Sequence, residues 1–79
     1  MSKYGPLRDY LKVQAADRLT LSFAQVSEII GVSLPSSAYN HSAWWASDPL
    51  HVQAEAWLGA GFRAENISLG SRSVTFVRG

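Results

Sequence analysis

Leu19-Thr20-Leu21-Ser22-Phe23-Ala24-Gln25-Val26-Ser27-Glu28-Ile29-Ile30-Gly31 is the stretch that decides the fold. Its first three residues alternate apolar, polar, apolar, the period-two pattern of a very short half-buried strand. Ser22 and Gln25 then stand at the S-x-x-Q spacing of a capping box, in which hydroxyl and amide satisfy each other's backbone N–H groups at a helix start. Phe23, Val26, Ile29 and Ile30 follow at i, i+3, i+6 and i+7, which predicts a helix over 23–30 with one apolar face. Gly31 is placed to take the left-handed stop. A strand running directly into a capped helix reads as α+β.

Working towards the N-terminus, Pro6 suits a first helical position, where its missing N–H has no intrahelical partner to lose. Leu7, Tyr10, Leu11 and Gln14 fall at helical spacing with Arg8 and Lys12 on the opposite side, which predicts a helix over about 6–15. Ala15-Ala16-Asp17 leaves it. Working towards the C-terminus, Ser33 to Ser47 holds two of the three tryptophans and one of the two histidines. Ser36 or Ser37 can cap a third helix running through the Trp pair, with Ala38, His41 or Ser42, and Trp45 inward. Asp48-Pro49 reads as a new N-cap and first turn. A fourth helix is predicted over about 49–60, with Leu50, Ala54, Trp57 and Leu58 as its apolar face and Gly61 ending it. Phe62 to Leu69 and a second arm with Val74 and Phe76 alternating against Thr75 and Val77 form a hairpin around Gly70-Ser71-Arg72. The predicted core is Leu7, Leu11, Leu21, Phe23, Val26, Ile29, Ile30, Leu34, Trp45, Trp57, Leu58, Phe62, Val74 and Phe76.

The chain has 79 residues, the length of one domain spanning 1–79. A chain this short buries only roughly 60–65% of its unfolded surface. It has no cysteine, so neither a disulfide nor a thiolate metal site can staple it. Stability must come from packing, and an apolar fraction of 47% with three each of Trp, Tyr and Phe suffices for that. No apolar run approaches the roughly 20 residues of a membrane span. The N-terminus lacks the basic-then-apolar layout of a signal peptide. Cytoplasmic residence with no membrane contact is the expectation. The formal charge of +1 excludes a protein that holds nucleic acid by its net field, so such a contact must come from a local cluster.

The candidate cluster centres on the Trp pair. Adjacent helical side chains point about 100° apart, so one flat core face cannot easily take both rings. Trp45 is expected inside, leaving Trp44 as a candidate stacking surface. Asn40 and His41 lie one turn before it. Asn can pair bidentately with adenine, and Tyr39, His41 and Ser42 can reach phosphate or base edges, although Asn and Ser equally serve local turns and caps. Lys3, Arg8 and Lys12 form one basic set; Arg63, Arg72 and Arg78 form another on the hairpin, with Arg72 at its tip and Glu65 weakening the charge at Arg63. The helix over 49–60 turns Gln53 and Glu55 outward, a poor set for reading bases, so the segment from Asn40 to Trp45 is the better reader.

Other chemistries are poorly supplied. His41, Asp48 and His51 are the metal-ligating types at hand, but the two histidines stand ten residues apart and lack the tight spacing of a zinc site. Ser36, His41 and Asp48 can be written as a triad, yet nothing marks a nucleophile elbow or an oxyanion hole. The six carboxylates are scattered. No metal, no cofactor and no catalytic residue is expected, and the chain is not expected to be an enzyme.

Two resemblances follow from these residues. The order helix, short strand, helix, helix, helix, hairpin resembles a winged helix-turn-helix, and Trp57-Leu58-Gly59-Ala60-Gly61-Phe62 looks like the leucine-glycine junction into the wing of such domains. The departure is the additional segment 33–47. The run Phe23-x-x-Val26-x-x-Ile29-Ile30-Gly31-x-x-Leu34-Pro35-x-Ser37-Ala38, followed by His41-x-x-Trp44-Trp45 and His51-x-Gln53-Ala54-x-x-Trp57-x-x-x-Gly61-Phe62, resembles a small uncharacterised bacterial and phage domain, a likeness that implies no established activity. The expected architecture is a small winged-helix-like α+β domain with three to four helices and a C-terminal β-hairpin. The expected function is a non-enzymatic nucleic-acid-binding module, DNA first, with Asn40, His41 and Trp44 at the reading surface and Arg63 and Arg72 on the backbone. The alternative is a protein–protein interaction module, an adaptor or inhibitor of a larger bacterial or phage assembly, with Trp44 at the centre of an apolar patch.

Overall fold

The computed structural model describes residues 3–79. Its elements are α1 (Gly5–Lys12), β1 (Arg18–Ser22), α2 (Phe23–Ile30), α3 (Ser36–Asn40), a 3-10 turn (Ser42–Trp45), α4 (Ala54–Gly59), β2 (Phe62–Ser68) and β3 (Ser73–Arg78). Together they make a small α+β domain. The strands form one antiparallel sheet in the order β1-β3-β2, with the last strand in the middle.

The capping box forms as its spacing predicts. The Gln25 N–H donates to Ser22 Oγ (3.0 Å) and the Ser22 N–H donates to Gln25 Oε1 (2.8 Å). Gly31 ends α2 in the left-handed conformation, φ 77°, which costs a glycine nothing and any Cβ-bearing residue about 1 kcal/mol.

Along the sheet, Leu19, Leu21, Val74 and Phe76 alternate with Thr20 and Thr75, and the register pairs Leu19 with Phe76 and Thr20 with Thr75. Val74 and Phe76 are fully buried. The Thr20 and Thr75 hydroxyls share a hydrogen bond of 2.8 Å on the opposite face. The β2–β3 register slips between Glu65 and Ser68, where Asn66 takes φ 51°. Asn tolerates that conformation better than most residues, and the bulge bends and twists the strand.

A row of rings ties the layers together. Phe23 stacks on Trp45 at 4.7 Å, Trp45 on Trp57 at 5.9 Å, and Trp57 meets Phe76 at 5.5 Å. The row joins the start of α2, the 3-10 turn, α4 and the central strand. Each such pair adds about 0.5–1.5 kcal/mol beyond the burial of its area. Every residue of the expected core is buried or, for Ile29 and Leu58, half-buried against it; Tyr4, Ala38, Ala54 and Ala56 join them.

Four local expectations are corrected. α1 stops at Lys12 rather than near 15: the Gln14 N–H donates to the Leu11 carbonyl at 3.1 Å, a tighter i to i−3 bond, and the Arg78 guanidinium then holds the carbonyls of Gln14 (2.7 Å) and Ala16 (3.3 Å). The third helix does not run through the Trp pair: it breaks at His41 (φ −135°), and the chain restarts as the 3-10 turn that carries Trp45 inward. Neither Ser36 nor Ser37 caps α3, whose N-cap is Pro35. The fourth helix begins at Ala54 rather than near 49. Asp48 accepts the Leu50 N–H on its carboxylate (2.9 Å) and the His51 N–H on its carbonyl (2.9 Å), and i to i+3 turns then carry the chain to Ala54. Leu50, expected on an apolar helix face, is 89% exposed.

Candidate nucleic-acid interface

The hairpin tip is fastened to the helices. Arg72 sits at φ 54°, and its carbonyl accepts the N–H of Phe23 at 2.8 Å, joining the tip to the first residue of α2. The Ser68 hydroxyl accepts the Ser71 N–H at 3.1 Å and tightens the loop. Tyr39, half-buried on α3, stands edge-on to Phe23 at 5.5 Å. The Arg72 guanidinium lies over the Tyr39 ring, 5.5 Å from its centroid, within cation–π range. Asn40 and His41, the next residues after Tyr39, are exposed. Arg72 has no ion pair among the described residues, so its charge is uncompensated at this surface.

Trp44 is placed differently from its expected role. Its ring is half-buried, edge-on to Trp45 (4.7 Å, 75°) and to Tyr4 (6.0 Å, 67°). Gln53, expected outward, turns in and donates to the Trp44 carbonyl at 2.9 Å. Lys3 places its ammonium over the Tyr4 ring at 5.6 Å. Burial pushes the Tyr4 phenol above its ordinary value of 10.0. Trp45 is fully buried, as its spacing predicts, and its indole N–H donates to the Ala38 carbonyl at 2.9 Å.

Arg63 stands apart from Arg72. It pairs with Val77 at the base of the hairpin, about 15 Å of strand from the tip, and its guanidinium is bound to Glu65. Arg78 is committed to Asp17 at 3.0 Å and lies over Phe62 at 4.6 Å. Of the five expected contact residues, Arg72 meets the ring of Tyr39, which Asn40 and His41 directly follow in the chain. The structure sets Trp44 in a second cluster with Tyr4 and leaves Arg63 in a third. Tyr39 as the seat of Arg72 had no signal in the sequence, since the two are far apart along the chain and meet only through the folded hairpin.

The remaining chemistry is modest. Asp48 and His51 approach to 3.9 Å, and the His51 Nδ1 is buried without a hydrogen-bond partner among the described residues. The Asp48 carboxylate faces the Leu50 N–H and His51, so it does not complete a triad with His41. No group of three or more His, Asp or Glu side chains is placed to hold a metal ion among the described residues. No helix among them is long and apolar enough to cross a membrane.

Over residues 4–79 the sequence matches a family described as a domain of unknown function (DUF7662). No curated protein and no solved structure matches it.

Proposed function

The chain belongs to the DUF7662 family, and from that footing we propose that it is a non-enzymatic module that binds nucleic acid, DNA first, through the surface formed by Tyr39, Asn40, His41 and Arg72. The observation that carries this reading is the seating of Arg72 on Tyr39 at 5.5 Å. It seats an arginine that has no ion pair among the described residues on the ring that directly precedes Asn40 and His41, two exposed side chains able to meet phosphate and base edges. The sheet supports it: β1 and β2 flank β3, and the tip of the β2–β3 hairpin meets α2 through the Arg72 carbonyl and α3 through the Tyr39 ring.

The same geometry limits the mode of contact. α3 has five residues, about 7.5 Å of helix, too short to lie along a major groove. Trp44 is half-buried, with its ring engaged by Trp45 and Tyr4. Contact therefore runs through the strand backbone with Asn40 adding modest base preference, and a flexible single strand or a frayed end suits it better than a regular duplex. Arg63 joins only by leaving Glu65.

Fluorescence anisotropy of labelled single-stranded and duplex oligonucleotides, from low to physiological salt, tests the reading. Saturable binding that weakens in Arg72→Ala and Asn40→Ala is expected; absence of binding to either probe at low salt sinks it.

A further inference from the structure

α1 and α4 pack side by side, and the space between them and the turn before α4 opens to solvent as a groove of about 540 Å³, lined by Arg8, Lys12, Pro49, Glu55, Leu58 and Gly59. Leu58 is half-buried there and supplies an apolar base. A Cβ on Gly59 would stand 3.3 Å from Arg8 Cδ, so the glycine keeps the arginine stem close against α4. The chain neighbours of Pro49 and Lys12 are Leu50, 89% exposed, and Val13, 79% exposed. Single exposed apolar side chains are ordinary, but two that each directly follow a lining residue in the chain add apolar surface within a residue of the groove.

Charge says what covers it. Arg8 and Lys12 lie one helical turn apart on α1 and both line the groove. The ion pair of Arg8 with Asp9 is 3.7 Å long between exposed groups, so it holds the guanidinium weakly. Lys12 has no ion pair among the described residues. Against these two cations the groove holds one carboxylate, Glu55. Nucleic acid fits poorly, because an apolar base of Leu58 and Pro49 meets no phosphate and the lining residues include no aromatic ring to stack on a base. A polypeptide can answer all three features at once.

We propose that this groove docks an acidic amphipathic segment of a protein partner. Its apolar side chains rest on Pro49, Leu50 and Leu58, its carboxylates meet Arg8 and Lys12, and a hydrogen-bond donor meets Glu55. The groove shares no residue with the Arg72 surface, so it stands or falls independently of nucleic-acid binding.

The probe is a short fluorescein-labelled peptide of Leu and Glu, with Leu at i, i+3 and i+7, followed by anisotropy. Saturable binding is expected, weakened by about tenfold in Lys12→Glu and in Leu50→Ser. Both positions are exposed, and circular dichroism of each variant confirms that it folds. Arg72→Ala keeps full peptide affinity, and the same peptide with Lys in place of Glu does not bind. The proposal is overturned by absence of saturable binding, by equal affinity for the Lys peptide, or by unchanged affinity in both groove variants. Competition by a single-stranded oligonucleotide assigns the groove to nucleic acid instead. Self-association of the wild-type chain that is lost in Leu50→Ser, seen by sedimentation, assigns it to a second copy.

Discussion

The Trp45 indole N–H donates to the Ala38 carbonyl at 2.9 Å, and that bond closes the break at His41 across the turn. It lets the chain bury a tryptophan completely while satisfying its one polar atom. Trp57, equally buried, has no acceptor for its N–H among the described residues. The two indoles therefore respond differently to the same change. Trp45→Phe loses a hydrogen bond and orphans a buried carbonyl, adding about 1–3 kcal/mol to the cost of lost volume. Trp57→Phe carries the volume term alone. Urea denaturation should place Trp45→Phe as the less stable variant.

The capping box makes a smaller and separable contribution. Ser22→Ala removes the acceptor for the Gln25 N–H and should lower stability by about 1 kcal/mol. Gln25→Ala removes only the reciprocal bond and should cost less. Gly31→Ala forces a Cβ into the left-handed region and should cost about 1 kcal/mol, although nothing lies within 4 Å of the added atom. Thermal melts of the three variants check the ranking.

Tyr4 sets an alkaline limit. Its raised value means that the folded state holds the phenolic proton more tightly than the unfolded chain does. The stability this represents is fully present below about pH 10, the unfolded value, and is lost as the pH climbs through the higher folded value. Stability of the wild-type chain should fall above pH 10, and Tyr4→Phe should flatten that fall. Chemical denaturation at a series of alkaline pH values measures both.

Arg72 allows function and fold to be separated at one position. Its φ of 54° is strained for an arginine and free for a glycine. Arg72→Gly should hold or raise stability, by up to about 1 kcal/mol, while nucleic-acid affinity drops. The wild-type salt dependence should also be shallow. With Arg72 and one further cation engaged, log K against log salt should slope about −1.4 on a single strand. A steep slope would mean that many more cations take part than this surface offers.

Much of the fold was legible because local and tertiary preferences agree over it. Ser22, Gln25 and Gly31 bound α2 by chemistry that works within a few residues, and alternation around Val74 and Phe76 marks the central strand. The break at His41 was not legible. Residues 36–45 keep helical spacing, and what ends α3 is the packing of Trp45 onto Phe23, a contact between distant residues. The same holds for the start of α4: Asp48-Pro49 looks like a helix cap and does bond the Leu50 N–H, but the chain turns there and leaves Leu50 in solvent. In the candidate site, the weakening of Arg63 by Glu65 could be read from their spacing. The withdrawal of Trp44 against Tyr4 and the meeting of Arg72 with Tyr39 depend on how the ends of the chain fold back.

The sheet order β1-β3-β2 has a consequence for how the molecule comes into being. The central strand is the last one synthesised, and its partner β1 lies far upstream, with Thr20 meeting Thr75. Until β3 exists, neither β1 nor β2 has a neighbour to pair with, and Phe76 is missing from the row of rings. The helices can flicker earlier and the β2–β3 hairpin can close locally once β3 exists, but β1 joins only after a long loop has been closed. Such non-local closure slows folding relative to a helical bundle of the same length. It also makes the nascent chain dependent on its final strand, so a stop codon before Ser73 should yield a polypeptide that is cleared by proteolysis rather than a smaller working domain.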